Sequence, residues 1–216
     1  MNHLAHCFLA EIAGRSIAGS MAGDFFRGVL PPADEPAQEG SAGAAAEDLP
    51  AHGSALSPEF IEGIRFHRVV DSFTDDHPVV ARSKARLRPP YRRYAGVLID
   101  IHYDHCLARH WLEFATTPLT TFAARVAQEI GMHLDEFPER ARPVLQFLLR
   151  TNLLVAYRER EGIARTLEGM SRRMSHENPL GSAIHELDEH AAQLEADFFE
   201  FFPGAIAMAK RVRDNA

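Results

Sequence analysis

Cysteine is nearly absent from this sequence: the 216 residues include two, Cys7 and Cys106. Two thiols supply no disulfide framework and no repeated thiolate pattern for structural zinc. No apolar run approaches the roughly 20 residues that a bilayer-spanning helix needs. The N-terminus has no basic stretch ahead of an apolar one, so no secretory leader is expected and a reducing cytoplasm is the natural compartment. No alternating run bounded by hairpin turns is present, which argues against β-structure. There is no internal repeat. An excess of positive charge is missing as well. The formal net charge is -7, which argues against a general nucleic-acid binder. Several chemical signatures are also absent. There is no His-Glu-x-x-His, no Gly-rich phosphate loop ending in Gly-Lys-Ser/Thr and no Gly-x-Ser-x-Gly elbow. No Glu stands three residues before a His, as a ferritin-like di-iron bundle requires.

What is present is ordinary for a globular chain, with 46% hydrophobic and 25% charged residues and length enough for one domain, residues 1–216, with a sizeable core. One stretch stands apart. Residues 31–58 carry Pro31, Pro32, Pro36, Pro50 and Pro58 among many Ala, Gly, Ser, Asp and Glu, which predicts a flexible loop inserted into the domain.

Elsewhere the pattern is helical. Leu4, Phe8 and Ile12 recur at spacing four. Ser57 can cap a helix with Pro58 at its first position. Asp76 or His77 can restart one before Pro78, and Arg88-Pro89-Pro90 stops it. Residues 91–114 read as one long helix, and Thr117-Pro118 opens another. Pro143 to Tyr157 is strongly apolar, and residues 182–202 are amphipathic through Ile184, Leu187, Leu194 and Phe198. The expected fold is all-α with eight to nine helices, ending in a frayed tail at Lys210-Arg211-Val212-Arg213.

Twelve histidines are the unusual feature. Residues able to hold a metal gather in four places: His3 and His6; Asp24; His67, Asp71 and Asp75; and Asp100, Asp104 and His105. Spacing of four puts His67 with Asp71, and Asp100 with Asp104, on one helical face. Asp71 and Asp100 follow apolar residues, and carboxylates so placed need a partner. A divalent cation is one solution and an arginine such as Arg68, Arg92 or Arg109 the other. A helical site of His and Asp suits metal-assisted phosphoester hydrolysis. His52, His133, His176, His185 and His190 read as incidental or solvated.

A basic run crosses the middle of the chain. Arg82, Lys84, Arg86, Arg88, Arg92 and Arg93 fall within twelve residues with no acid among them. On an acidic protein this local reversal of sign suggests a dock for an acidic partner or a phosphorylated ligand. A plain solvated face is the competing reading.

At these residues the sequence resembles the acyl carrier protein phosphodiesterases. The matching stretches are Asn2-His3-Leu4-Ala5-His6, then Gly23-Asp24-Phe25-Phe26-Arg27-Gly28, then Gly63 to Asp75 through Arg65-Phe66-His67-Arg68-Val69-Val70-Asp71. They continue with Asp100-Ile101-His102-Tyr103-Asp104-His105-Cys106-Leu107-Ala108-Arg109-His110-Trp111 and, more weakly, Leu167-Glu168-Gly169-Met170-Ser171-Arg172-Arg173. The family joins the Asp24 and His67 segments more tightly, without the Pro-rich insertion. The resemblance implies an HD-domain-like all-α fold with manganese as the favoured metal, although this chain has no adjacent His-Asp dipeptide and carries the reverse order at Asp104-His105.

The implied reaction is hydrolysis of the phosphodiester joining 4′-phosphopantetheine to a serine of holo-acyl carrier protein. On this basis the expected metal ligands are His6, Asp24, His67, Asp71 and Asp104, with Asp75 and Asp100 orienting them. His105, backed by His102, is the expected general acid, and Arg27 or Arg68 the holder of the phosphoryl oxygens. The run Arg82–Arg93 is the expected dock for the acidic carrier protein, with neither nucleic acid nor membrane as a partner. Two other readings are a phosphohydrolase acting on a nucleotide or other small phosphodiester, and a carrier-binding module without catalysis.

Overall fold

A computed structural model describes residues 2–27, 30 and 56–215. Among these the chain forms α-helices and short 3₁₀ turns, with no strand. There are twelve α-helices among the described residues rather than eight or nine, because several long apolar stretches are broken by single residues.

The first helix, α1 (His3–Ala13), is closed by Gly14 in the left-handed region at φ 63. The amide of Arg15 reaches back to the Ala10 carbonyl at 2.9 Å, a helix end that favours glycine. Next come α2 (Ile17–Ala22) and a 3₁₀ turn at Gly23–Phe25. The expected loop 31–58 falls largely outside the described residues, His52 included. Its last three residues belong instead to the entry into the next helix, a correction to that boundary. Leu56 is buried, the Ser57 hydroxyl accepts from the Phe60 amide, and Pro58 opens α3 (Pro58–Asp75). His77 caps α4 (Pro78–Arg86).

The expected helix over 91–114 is a 3₁₀ turn at Tyr91–Tyr94, then α5 (Ala95–Arg109) and α6 (Trp111–Phe114), separated at His110. After α7 (Leu119–Met132), the apolar stretch from Pro143 divides at Asn152, which adopts φ 47, into α8 (Arg142–Thr151) and α9 (Leu153–Ala156). The chain continues through α10 (Arg160–Arg173) and α11 (Ala183–Glu189) to α12 (Ala191–Asp214). The expected 182–202 helix is thus two helices, interrupted at His190. The expected frayed tail is helical, because Met208 and Ala209 are buried and Val212 packs against the core.

Two helices organise the rest. α5 buries residues on nearly every side, from Leu98 and Ile99 to Cys106, Leu107 and Ala108, as a helix in the middle of a bundle must. α1 is buried continuously from Leu4 to Ala10 and packs on α2, α5 and α12. Aromatic rings fill the space between them: Phe8 lies 5.2 Å from Trp111 and 6.1 Å from Phe202, and Tyr103 lies 5.6 Å from both Phe198 and Phe201. α2 crosses α3 at bare backbone. A Cβ on Gly19 would stand 2.2 Å from the Phe60 carbonyl oxygen, and one on Gly63 2.6 Å from that of Ser16. This close crossing sets the turn after α2 directly against α3.

Candidate active site

The position of α1 is set at its first turn. The buried Asp104 carboxylate on α5 accepts hydrogen bonds from the amides of Leu4 at 2.7 Å and Ala5 at 3.0 Å. These amides have no partner within their own helix, and a negative charge suits that end of it. Burial pushes the Asp104 carboxyl up to about 7, while the two amides favour its charged form. Asn2 completes the start of the helix: its side chain accepts from the His3 amide and donates to the Tyr157 hydroxyl at 3.1 Å.

Fixed in this way, α1 presents His6 to α3. The imidazoles of His6 and His67 are both buried and stack with centroids 4.0 Å apart. His67 donates from Nδ1 to the Ser20 carbonyl at 2.8 Å, so its Nε2 faces the carboxylates. Asp71, one turn along α3, stands with one oxygen 3.0 Å from His67 Nε2 and the other 3.1 Å from His6 Nε2. Asp24 lies 3.5 Å from His67 Nε2. Its backbone is brought there by Gly23, where a Cβ would stand 2.1 Å from the His67 ring. The Asp71 and Asp24 side chains are 43% and 61% exposed, so they open to solvent while the imidazoles form the floor.

The electrostatics follow from this geometry. Burial, then the neighbouring His67, lowers His6 to about 4. Burial also opposes charge on His67, but Asp24 and Asp71 raise it to about 9. Burial opposes the charged form of Asp71, yet its contacts with His6 and His67 hold it well below the usual carboxylate range. The His67 contact lowers Asp24 in spite of burial. One group is left unsatisfied. Neither nitrogen of the buried His6 makes a hydrogen bond, although Nε2 stands 3.1 Å from an Asp71 oxygen. Ligand atoms of His6, His67 and Asp71 all lie within 4.8 Å of one another, a grouping able to hold a metal ion. Imidazole and carboxylate donors with an orphaned buried nitrogen fit a divalent transition metal.

Beside this group opens a cavity of about 370 Å³, within the range of small-molecule sites. Its lining combines polar residues, among them Asn2, His3, Asp24, Asp71, Asp75 and Asp100, with apolar ones, Val97, Val144, Phe147, Leu153 and Met170. Arg173 is also on its wall.

The other expected site residues lie elsewhere. Asp104 does not join His6, His67, Asp71 and Asp24, since both of its oxygens hold the start of α1. His105 turns away with its neighbours into a second cavity, lined by His102, His105, Arg109, Arg158, Asp188 and Glu195. There its Nδ1 donates to the Tyr157 carbonyl at 2.7 Å. Arg68 donates to the Phe26 carbonyl at 3.2 Å, and Arg27 is exposed; neither lines the first cavity.

Four of the six cations of the basic run are paired with carboxylates within the fold. Arg82 and Arg86 both bind the buried Asp197, at 2.7 and 2.9 Å, and Arg82 also binds Glu200 at 2.6 Å. Lys84 pairs with Asp75 at 2.8 Å. Arg88 holds the buried Glu186 at 2.8 Å and also contacts Glu189. Arg92 and Arg93 are exposed.

Among the cavity residues, Asn2, Tyr157 and Arg173 have no role in the sequence analysis, and His3 stands there only among the residues able to hold a metal. Asn2, His3 and Arg173 lie inside stretches already singled out; Tyr157 carries no local signal.

The described residues thus form an all-α arrangement around two buried imidazoles and two part-exposed carboxylates, beside a cavity of about 370 Å³. The chain belongs to the acyl carrier protein phosphodiesterase family, whose model matches residues 35–205. It is 32% identical over 211 residues to the acyl carrier protein phosphodiesterase of Enterobacter sp. (strain 638), covering 97% of this chain and 98% of the relative. It is 33% identical over 204 residues to that of Photorhabdus laumondii, covering 94% and 92%. To that of Escherichia coli O157:H7 it is 31% identical over 212 residues, covering 98% of each. No solved structure matches the chain. Among the described residues no helix is long and apolar enough to cross a membrane.

Proposed function

We propose that this chain hydrolyses the phosphodiester that joins 4′-phosphopantetheine to a serine of holo-acyl carrier protein, releasing the apo-protein and free 4′-phosphopantetheine. The observation that carries the reading is the convergence of His6, His67, Asp71 and Asp24, the two carboxylates lining the cavity, with the nitrogens of His6 making no hydrogen bond. His6, His67, Asp71 and Asp24 would hold a divalent ion, manganese being the first candidate. When bound, it supplies a water of lowered pKa and offsets charge on the phosphoryl oxygens.

The remaining work falls to the chain. His67 Nδ1 is committed to Ser20, which fixes the ring with Nε2 toward the carboxylates. Water oxygen bonds to phosphorus as the bond from phosphorus to the seryl oxygen breaks, and that oxygen needs a proton. His105 faces the other cavity. Asp100 stands on this one, with its carboxyl pushed above the usual range by burial, and is the better-placed donor. The apolar lining residues Val97, Val144, Phe147, Leu153 and Met170 take the organic arm. Arg92 and Arg93 are the cations of the basic run left to meet the acidic carrier. The fold acts as one domain in this reading.

The test is to incubate holo-carrier protein with the chain and Mn²⁺ and to follow loss of the prosthetic group by mass spectrometry. Loss of the arm is expected, and chelator should abolish it. An unchanged carrier alongside rapid cleavage of a small phosphodiester would replace this reading with that of a small-molecule phosphodiesterase.

A further inference from the structure

A phosphodiester is an anion, and the lining of the cavity includes Asp24, Asp71, Asp75 and Asp100. Their repulsion has to be offset where the phosphorus sits. Asp71 and Asp24 are engaged by imidazoles and Asp75 by Lys84. Arg173 is the arginine on the cavity wall. It ends α10, and among the described residues it makes no ion pair with a carboxylate. Its neighbour Arg172 turns instead along its own helix to Glu168, at 3.9 Å.

The guanidinium of Arg173 lies over the Phe147 ring, 5.8 Å from its centroid. Phe147, His3 and Asp24 line the same cavity, and the Arg173 charge is near enough to His3 to disfavour that ring's protonated form, so the guanidinium is within reach of both apolar and polar residues of the lining. Stacking on an aromatic face favours one plane for the guanidinium and leaves its N–H edge open. That edge matches two oxygens of one phosphoryl group. A diester with its phosphorus near the His and Asp cluster and its organic arm on Val97, Val144, Leu153 and Met170 would pass this point.

We infer that Arg173 is the phosphoryl anchor of the cavity, receiving the non-bridging oxygens of the diester and afterwards the phosphate end of the released arm. The inference rests on the phosphodiesterase reading above for its substrate, but phosphate binding can be measured without turnover.

The experiment compares the wild type with Arg173→Gln and Arg173→Lys. Arg173 is exposed, so both variants should fold. Calorimetry on metal-free protein measures binding of inorganic phosphate and of 4′-phosphopantetheine. A separate titration measures Mn²⁺ binding, and kinetics on holo-carrier protein with Mn²⁺ measure turnover. Arg173→Gln is expected to lower kcat/KM about 100-fold, the scale for removing one donor to a developing oxyanion. It should weaken phosphate binding about tenfold, with Mn²⁺ affinity and thermal unfolding unchanged, and Arg173→Lys should recover part of both losses. Wild-type kcat/KM and wild-type phosphate binding in Arg173→Gln would overturn the anchor and leave the reaction standing. An inactive wild type whose phosphate binding still depends on Arg173 would support the anchor and overturn the reaction. An inactive wild type whose phosphate binding ignores Arg173 would overturn both.

Discussion

His6 and His67 stack face to face, 4.0 Å between ring centroids, and yet they titrate in opposite directions. His67 touches two carboxylates and is raised to about 9, whereas His6, buried without a hydrogen bond, is lowered to about 4. Two stacked imidazolium ions would repel each other strongly in a buried site. The proton therefore resides on the ring that has two carboxylates beside it, and the other ring, which shares only Asp71, keeps a free nitrogen lone pair.

This difference sets a pH dependence. Below about 9, His67 carries a proton that a ligating nitrogen must lose, whereas His6 is neutral at pH 7 and releases none. Mn²⁺ affinity should rise between pH 7 and 9 with release of about one proton per ion, read by calorimetry in buffers of different ionisation enthalpy. The folded-state pKa of His67 lies above its unfolded value of 6.5. Its contribution to metal-free stability is therefore fully present below 6.5 and is lost as pH rises through about 9. A metal-free melting temperature that increased across that window would contradict the assignment.

Asp24→Ala and Asp71→Ala should each abolish hydrolysis of holo-carrier protein; Asp24, 61% exposed, should change thermal unfolding little, whereas Asp71→Ala takes the nearer carboxylate from buried His67 and should lower the metal-free melting temperature at pH 7. Mn²⁺ titration should show a larger loss for Asp71→Ala, since Asp71 touches both imidazoles. Gly23→Ala should mimic these losses without removing a ligand, as its Cβ would stand 2.1 Å from the His67 ring. Normal turnover in Asp24→Ala would remove Asp24 from the site.

Asp104→Ala should act through structure. It leaves the buried amides of Leu4 and Ala5 without their acceptor, at a cost of about 1–3 kcal/mol. A fall in melting temperature of roughly 2–4 °C per kcal/mol is expected for a chain of this size, together with weaker Mn²⁺ binding as α1 shifts His6. Unchanged stability with a complete loss of metal would instead make Asp104 a ligand.

The basic run should divide into two classes. Arg86→Glu with Arg88→Glu sets new carboxylates against the buried Asp197 and Glu186, and the melting temperature should fall by several degrees. Arg92→Glu with Arg93→Glu should leave melting unchanged and raise KM for holo-carrier protein, an effect that shrinks with added salt. Equal KM effects from both pairs, with no loss of stability, would restore the whole run as a dock.

Local signals were legible where the physics is local. Ser57 and Pro58 mark the start of α3 because a hydroxyl acceptor and a fixed φ act within one turn, and spacing of four brings His67 to Asp71. The absence of alternation excluded strands for the same reason. The helix break at Asn152 carried a weak local mark, since asparagine tolerates its φ of 47, whereas those at His110 and His190 carried none.

What the sequence by itself determined is therefore the helical class and the residue types available for chemistry. Which of those residues meet was decided by the tertiary structure. Asp100 and Asp104 share a helix at spacing four, but one lines the cavity and the other holds α1 from beneath. An acid-free run of six cations looks unpaired along the chain. Its partners Asp197, Glu186 and Glu189 lie about a hundred residues away, and only the packing of α12 on α4, and of α11 beside Arg88 just past the end of α4, brings them close enough to cancel the charge.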